Sequence, residues 1–379
     1  SNGDRWQHGR QLCNLSFTSL IKSNYLDANF GELIKTAIYP GVDEQCSAGY
    51  YYARDDIKWL GFAFMYGVLY GAEDDSVPDR DNKEYHRFMD LNNLLFDKFL
   101  KSRIINMIPL PRTRQYIQNN YDPRIKSMEG MTELIKKWEK QTRIQRQKLS
   151  DDDTYFNRIQ EHINNGEITY DQCCVDVMTL VAAGLHVTLS SAEIGLYHAA
   201  LFPDIQERVY KELDAHYQKY GGFDMRKLNE LHVFRAFIYE SLRYGAPVRH
   251  TLERNIMKNG YKIGKYNIPK GATMYGMTYT MHRDPKNFER PNEFYLEHFM
   301  TEKDGNFRFN LNKNFVIFGI GKRNCIGQTL AIKELFCILT HLLHRYKFII
   351  PKQEKDNWQI PESFFPANTP KLPLIVERR

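Results

Sequence analysis

The chain has 379 residues, of which 42% are hydrophobic, 26% charged and 13% aromatic, a globular balance with room for one large core or two. A formal net charge of +6 inclines it towards acidic partners, but Lys and Arg are dispersed rather than blocked, which excludes a nucleic-acid signature. Six cysteines without CxxC spacing exclude a disulfide framework in a chain this long and point to a reducing compartment.

In chain order, the opening SNGDRWQHGR already has the spacing of a helix, so an upstream segment is expected to be absent. No signal peptide is expected, and with no run of about 20 apolar residues no segment is expected to span a bilayer. Asp56 to Ala72 is apolar nearly all round, the pattern of a helix inside a bundle. Lys83 to Arg103 is amphipathic and runs into the loop IINMIPLPR. There Ile104, Met107, Ile108 and Leu110 read equally as ordinary core or as a contact with a membrane surface or an entering substrate. Pro123 to Gln147 is a charged helix, Tyr170 to Leu201 a very long apolar one, and another starts at Pro203. Short strand-like pieces with NG and PKG turns lie between Thr251 and Thr280. A strong helix follows Cys325. The expected fold is mainly α with a small β region, in one domain over 1–379, because no Pro/Gly/Ser linker divides it.

Phe318 to Gly327 reads FGIGKRNCIG. A lone cysteine in a turn is ordinarily structural. Here Cys325 stands just before a helix, where free N–H groups and the dipole stabilise an anion, and Lys322 and Arg323 add positive charge. Gly319, Gly321 and Gly327 let the backbone turn tightly and approach something flat. The pattern is that of a thiolate prepared to ligate a metal.

The stretch resembles, position for position, the haem-binding signature FxxGxRxCxG of the cytochrome P-450 family, through Phe318, Gly321, Arg323, Cys325 and Gly327. Other resemblances fall in the family's order: WxxxR at Trp6 and Arg10, AAGLHVT at Ala182 to Thr188, ExxR at Glu240 and Arg243, HRDP at His282 to Pro285, and FERPNEF before LEHF. They cover essentially the whole chain and imply the cytochrome P-450 fold, one haem domain lacking its usual N-terminal segment, and haem b (iron protoporphyrin IX) with Cys325 as the axial iron ligand. HRDPKN also looks like a kinase catalytic loop, but the glycine-rich loop, strand lysine and DFG are missing. GIG at Gly319 lacks the rest of a dinucleotide fingerprint.

Glu240 and Arg243, three apart, share a helix face and by themselves would be a surface ion pair worth under about 1 kcal/mol. The resemblance implies that a residue of a later loop completes a buried, structural charge network with them. His298 stands where the family most often has arginine, which makes that third member titratable. Trp6 and Arg10, four apart, offer an indole N–H and a guanidinium from one face. With Arg254 and Arg323 they fall at the family's propionate-contacting positions; Arg249 and His250 lie near but are not favoured by the resemblance.

The pattern breaks in the central helix. The family's monooxygenases carry an acid and then a threonine after the Ala/Gly pair, to relay protons during oxygen activation. Here Ala183 and Gly184 match, the acid position is His186, the threonine position is Val187, and Thr188 comes one residue late. One residue is about 100° of helical rotation, so Thr188 is expected to point elsewhere unless the helix distorts. Histidine at the acid position is similar to the sterol 14α-demethylase branch, whose helix reads AGxHT, although Val187 and Arg323 depart from it. Taken alone, His186 reads equally as a hydrogen-bonded core histidine.

Three functions follow from the resemblance: a monooxygenase acting on a lipophilic, sterol-like or fatty-acid-like molecule, a peroxide-using or hydroperoxide-rearranging enzyme, and a haem protein without turnover. The first implies a flavoprotein reductase or ferredoxin-type electron donor, drawn by Lys322, Arg323 and Lys333, although Lys333 also reads as a solvated helix lysine. It also implies a monomer in a reducing intracellular compartment, associated with a membrane through a missing anchor or the 104–110 loop, and no nucleic acid.

Overall fold

A computed structural model describes residues 3, 6–7, 9–14, 30–71, 77–97, 122–146, 154–303, 305–354 and 372–379. Ile104, Met107, Ile108 and Leu110 lie outside them.

After a helical stretch at 9–14, residues 30–33 lead through a π-helical turn at Ile34–Ile38 into α1 (Tyr39–Ala48). There follow α2 (Ala53–Tyr70), α3 (Lys83–Asp97), α4 (Pro123–Arg146), α5 (Tyr155–Asn164), α6 (Tyr170–Leu201), α7 (Pro203–Tyr220) and α8 (His232–Gly245). The small β region comes next: β1 (Arg254–Asn255), β2 (Tyr261–Ile263), β3 (Tyr266–Ile268) and β4 (Thr273–Met274), then the short α9 (Thr278–His282). β5 (Met300–Lys303) and β6 (Asn306–Phe309) precede the cysteine loop, and α10 (Gln328–Arg345), β7 (Tyr346–Ile349) and β8 (Ile375–Arg378) follow it. Among the described residues the strands form antiparallel pairs: β1–β4, β2–β3, β5–β6 and β7–β8. The expected helices are present among the described residues, α2 starting at Ala53 rather than Asp56, and the expected ends at Ala72, Arg103 and Gln147 lie outside those residues.

The chain forms two compact units. The first, Ser1–Pro40 with Asp55–Leu189 and Thr329–Glu334, has an aromatic core. Phe62 of α2 lies 5.0 Å from Tyr85 of α3 and 5.5 Å from Trp138 of α4, ring centre to ring centre. Trp138 is seated by its indole N–H, which donates to Glu84 at 2.9 Å. α2 comes so near α6 that a Cβ on Gly61 would sit 2.9 Å from Leu189 Cγ and 3.1 Å from Glu334 Oε1, closer than atoms pack.

The second unit holds Gly41–Arg54, Ser190–Gln328 and Leu335–Arg379. α7 opens with Pro203 at its first turn and ends at Gly221 in the left-handed region, φ 73°. α8 has no side-chain cap of its own; Glu212 of α7 supplies one, accepting from the N–H groups of His232, Val233 and Phe234 at 2.8–3.0 Å. The buried Gln206 side chain accepts from the Phe348 N–H at 2.8 Å and donates to the Phe348 carbonyl at 2.9 Å.

Among the described helices, α6 alone is long and apolar enough to cross a bilayer by length and composition, which corrects the expectation that no such stretch exists. More than half of that span is buried within the fold, including Cys173, Val177, Leu185, Ala192 and Leu196, as in a core helix.

Candidate active site: the cysteine loop and its supports

The loop begins where the Asn314 side chain donates to the Asn287 carbonyl at 3.3 Å and the Val316 N–H donates to His282 Nε2 at 3.0 Å. Gly319 N–H then donates to the Val316 carbonyl at 2.8 Å, and Cys325 N–H to the Phe318 carbonyl at 2.6 Å, which closes the loop on itself. Gly319 and Gly321 both stand at φ 71°, where a side chain would be strained. Phe318 lies 6.3 Å from Phe315, which in turn packs on Phe299 at 5.2 Å and on Tyr239 of α8 at 5.3 Å.

Cys325 is exposed, as are Lys322 and Arg323 on the 3-10 turn before it. The cap position of α10 is Gly327, which has no side chain to occupy the first-turn N–H groups. A Cβ built on Gly321 or Gly327 meets no atom within 4 Å, so both glycines border open space. An accessible thiol, a helix N-terminus, two cations and glycine-lined room fit a flat, anionic, thiolate-ligated group such as haem.

Behind the loop is a buried charge network. Glu240 and Arg243 of α8, both fully buried, make a bidentate pair with two 2.7 Å bonds. Arg243 also donates to the carbonyls of Pro291 and Glu293 at 2.7 Å and of His282 at 3.0 Å, and Glu240 accepts from the Tyr295 N–H at 2.7 Å. His298 is the third member: its Nδ1 faces both Glu240 oxygens and its Nε2 hydrogen-bonds the Glu289 carbonyl. Both ring nitrogens therefore face oxygens of the network.

In the first unit, α6 is a regular α-helix through AGLHVT. Ala183 is exposed, Gly184, His186 and Val187 are half-buried, and Thr188 is 5% exposed. With no local distortion, Thr188 faces the packed side of the helix rather than the side that carries Ala183. In the same unit the Arg10 guanidinium lies 5.8 Å from the Trp6 ring centre. In the second unit Arg254 is exposed on β1 and donates to the Glu253 carbonyl at 3.0 Å. Arg249 lies over the Tyr279 ring at 4.8 Å, and His250 Nδ1 is 2.8 Å from the Thr251 carbonyl.

Sequence reasoning placed HRDP near the loop but not the role of its histidine. His282 is buried, stacks on Phe315 at 5.2 Å with the rings 5° apart, and carries the Val316 bond. Burial, then the nearby Arg243 and Arg283 charges, hold its pKa down to about 4, so the ring is neutral.

The family description Cytochrome P-450 matches residues 1–375 of the chain. Cytochrome P-450 2J1 of Oryctolagus cuniculus is 29% identical over 205 residues, 54% of this chain and 40% of the relative. Cytochrome P-450 2L1 of Panulirus argus is 30% identical over 193 residues, 50% of this chain and 38% of the relative. The mitochondrial cholesterol side-chain cleavage enzyme of Hypanus americanus is 22% identical over 353 residues, 91% of this chain and 66% of the relative. Each match spans less than two thirds of the relative's length.

Proposed function

Because the chain belongs to the cytochrome P-450 family, we propose that it is a haem-thiolate monooxygenase, inserting one oxygen atom from O2 into a lipophilic small molecule. The observation that carries this reading is the exposed Cys325 in a loop closed by its own 2.6 Å bond to the Phe318 carbonyl. Haem b held by a thiolate supplies the oxygen-activating chemistry, because thiolate electron density favours O–O cleavage.

The chain's own residues prepare that site. Cys325 would hold the haem iron through its thiolate, which the N-terminus of α10 and the charges of Lys322 and Arg323 would stabilise. Arg323, Arg254 and Arg10 are proposed as guanidinium partners of the propionates, with the Trp6 indole N–H as a further donor. Gly321 and Gly327 leave room for the ring edge, and Phe318 ties the loop to the aromatic cluster. Ala183, Gly184, His186 and Val187 are proposed to face the substrate side, with His186 the proton-carrying group on the more open side of α6, and the buried Thr188 is proposed to back them from the packed side. Glu240, Arg243 and His298 serve as structural support.

Electrons are proposed to come from a flavoprotein reductase or a ferredoxin-type protein, steered to Lys322, Arg323 and Lys333 by its acidic surface. A sterol-like or fatty-acid-like substrate is favoured by the likeness to a cholesterol side-chain cleavage enzyme. Six free cysteines agree with a reducing compartment, and association with a membrane surface is proposed with it. The test is the reduced carbon monoxide complex: its absorption is expected at the family's red-shifted position and lost in Cys325→Ala. An unshifted band in the unaltered protein overturns the reading.

The burial of Thr188 in an undistorted helix favours one second reading, a peroxide-using or hydroperoxide-rearranging enzyme that needs no relay hydroxyl. Greater turnover with peroxide than with NADPH and reductase would select it, and turnover with neither would leave haem binding alone.

A further inference from the structure

We propose that His282 is a positioning residue for the cysteine loop, a neutral acceptor that holds the Val316 N–H and joins the Glu240–Arg243 network to Cys325. The proposal rests on the haem-thiolate reading for its consequence at Cys325 but not for its geometry.

The connection is continuous. Arg243 Nη1 donates to the His282 carbonyl at 3.0 Å, which fixes the end of α9 to the network. The imidazole then reaches forward 34 residues, and Nε2 accepts from the Val316 N–H at 3.0 Å. The Val316 carbonyl accepts from Gly319, and the Phe318 carbonyl next to it accepts from Cys325. Ring packing sets the direction of the acceptor: Phe315 lies parallel at 5.2 Å, and the edge of Phe288 closes at 5.6 Å. Phe288 also stands 5.4 Å from His298, so the same ring touches the network.

An amide N–H donating to Nε2 requires that nitrogen's lone pair, so the proton sits on Nδ1. Nδ1 is buried and meets no hydrogen-bond partner among the described residues. The ring is therefore held in one tautomer by the loop it supports. A second proton would turn Nε2 into a donor facing a donor, and the Val316 bond would be lost.

Surrounding charges oppose that proton. Arg243 and Arg283 are the cations nearest the ring, and Arg283 is anchored by a 3.0 Å bond to the Tyr244 carbonyl. Glu240 is already engaged by Arg243 and by His298. Titration of His282 is therefore a release step, in which acid frees the start of the loop at Val316.

The experiment compares amide hydrogen exchange at Val316, Gly319 and Cys325 in the full chain for the wild type, His282→Phe and His282→Gln. His282→Phe keeps a ring on Phe315 and removes the acceptor; His282→Gln keeps an acceptor and removes the ring. The Phe variant is expected to exchange about tenfold faster at Val316, the scale of one hydrogen bond, with Phe237 in α8 unaffected as an internal reference. The Gln variant is expected to restore protection. In the haem-loaded protein the Phe variant is expected to lose part of the red-shifted carbon monoxide band and the Gln variant to regain it. Wild-type protection at Val316 in the Phe variant, or equal loss in both variants, overturns the proposal. If the wild type itself lacks the red-shifted band, the thiolate reading fails while the exchange comparison still decides the clasp. Should His282→Phe not fold, wild type and His282→Gln are compared from pH 7 to pH 4. The wild type alone is then expected to lose Val316 protection before global protection, and matching profiles overturn the proposal.

Discussion

His298 Nδ1 lies 3.2 Å from each carboxylate oxygen of Glu240, so one imidazole occupies the place where the family most often has a guanidinium. The imidazole places a donor against a buried carboxylate, and its Nε2 meets the Glu289 carbonyl.

Removing that donor is expected to destabilise the protein. His298→Ala should cost about 1.5–3 kcal/mol, the range for a hydrogen bond to a charged group. Arg243→Ala should cost more, about 3–5 kcal/mol, because the buried Glu240 carboxylate loses its bidentate cation and keeps His298 and the Tyr295 N–H. Urea unfolding of both variants measures the order, and a larger loss for His298→Ala would reverse the assignment of the principal partner.

Acid sensitivity is expected from two buried neutral histidines. Burial, with Arg243 and Arg283 nearby, holds His198 down to about 3 and His282 to about 4, against an ordinary value of 6.5. As pH falls below 6.5, the unfolded chain takes up these protons and the folded chain does not. Stability is therefore fully present above 6.5 and lost towards 4, at about 1.4 kcal/mol per pH unit for each group. His198→Phe, within a pocket of Phe294, Tyr244 and Phe202, should lower the measured slope between pH 6.5 and 5 by that amount.

Glu334 gives the opposite sign. It is buried, its Oε1 has no hydrogen-bond partner among the described residues, and desolvation pushes its pKa well above 4.5. Above pH 4.5 the unfolded chain releases a proton that the folded chain keeps, so stability falls as pH rises. Glu334→Gln removes this loss, so its gain in urea midpoint should grow as pH rises from 4.5. A change independent of pH would mean that the carboxyl is ionised in the fold.

Beside the same carboxyl, Gly61→Ala is expected to destabilise the first unit despite the better helix propensity of alanine, by about 1–3 kcal/mol. The new Cβ would stand 2.9 Å from Leu189 Cγ and 3.1 Å from Glu334 Oε1. A variant as stable as the wild type would show that Leu189 can move aside at no cost.

On the relay side, Val187→Thr puts a hydroxyl where the family's monooxygenases carry one, whereas Thr188 is buried. The ratio of reductase-driven to peroxide-driven turnover should rise by roughly tenfold or more in Val187→Thr, given the scale of positioned proton transfer. Thr188→Ala should leave the ratio unchanged. A collapse of the ratio in Thr188→Ala would assign the relay to the buried hydroxyl.

Some of this was legible in the residues and some was not, for physical reasons. The cysteine loop could be read because its geometry demands particular side chains: glycine where φ is 71°, cysteine before the helix, a phenylalanine to anchor it. Helices such as Tyr170–Leu201 announce themselves by period and end signals. The His282 clasp left no mark of that kind, because its partner is the Val316 backbone N–H, which any residue but proline would provide. Pairing of β7 with β8 was equally silent, since short strands joined across a long separation carry no joint pattern. AGLHVT lies between these cases: the offset of Thr188 was visible, and the regular helix then put its side chain on the packed side.

Gln206 has a consequence for the solubility of the carboxy-terminal hairpin. Its side-chain amide pairs with both backbone groups of Phe348, as a residue of a third strand would. On the far side the Tyr51–Leu374 bridge runs on from the end of β8. A two-stranded ribbon that would otherwise offer open hydrogen-bonding groups to another molecule is thereby terminated at Phe348 by one glutamine. Replacing that amide with an apolar side chain would leave a template for strand addition, so the site guards against self-association as well as holding the fold together.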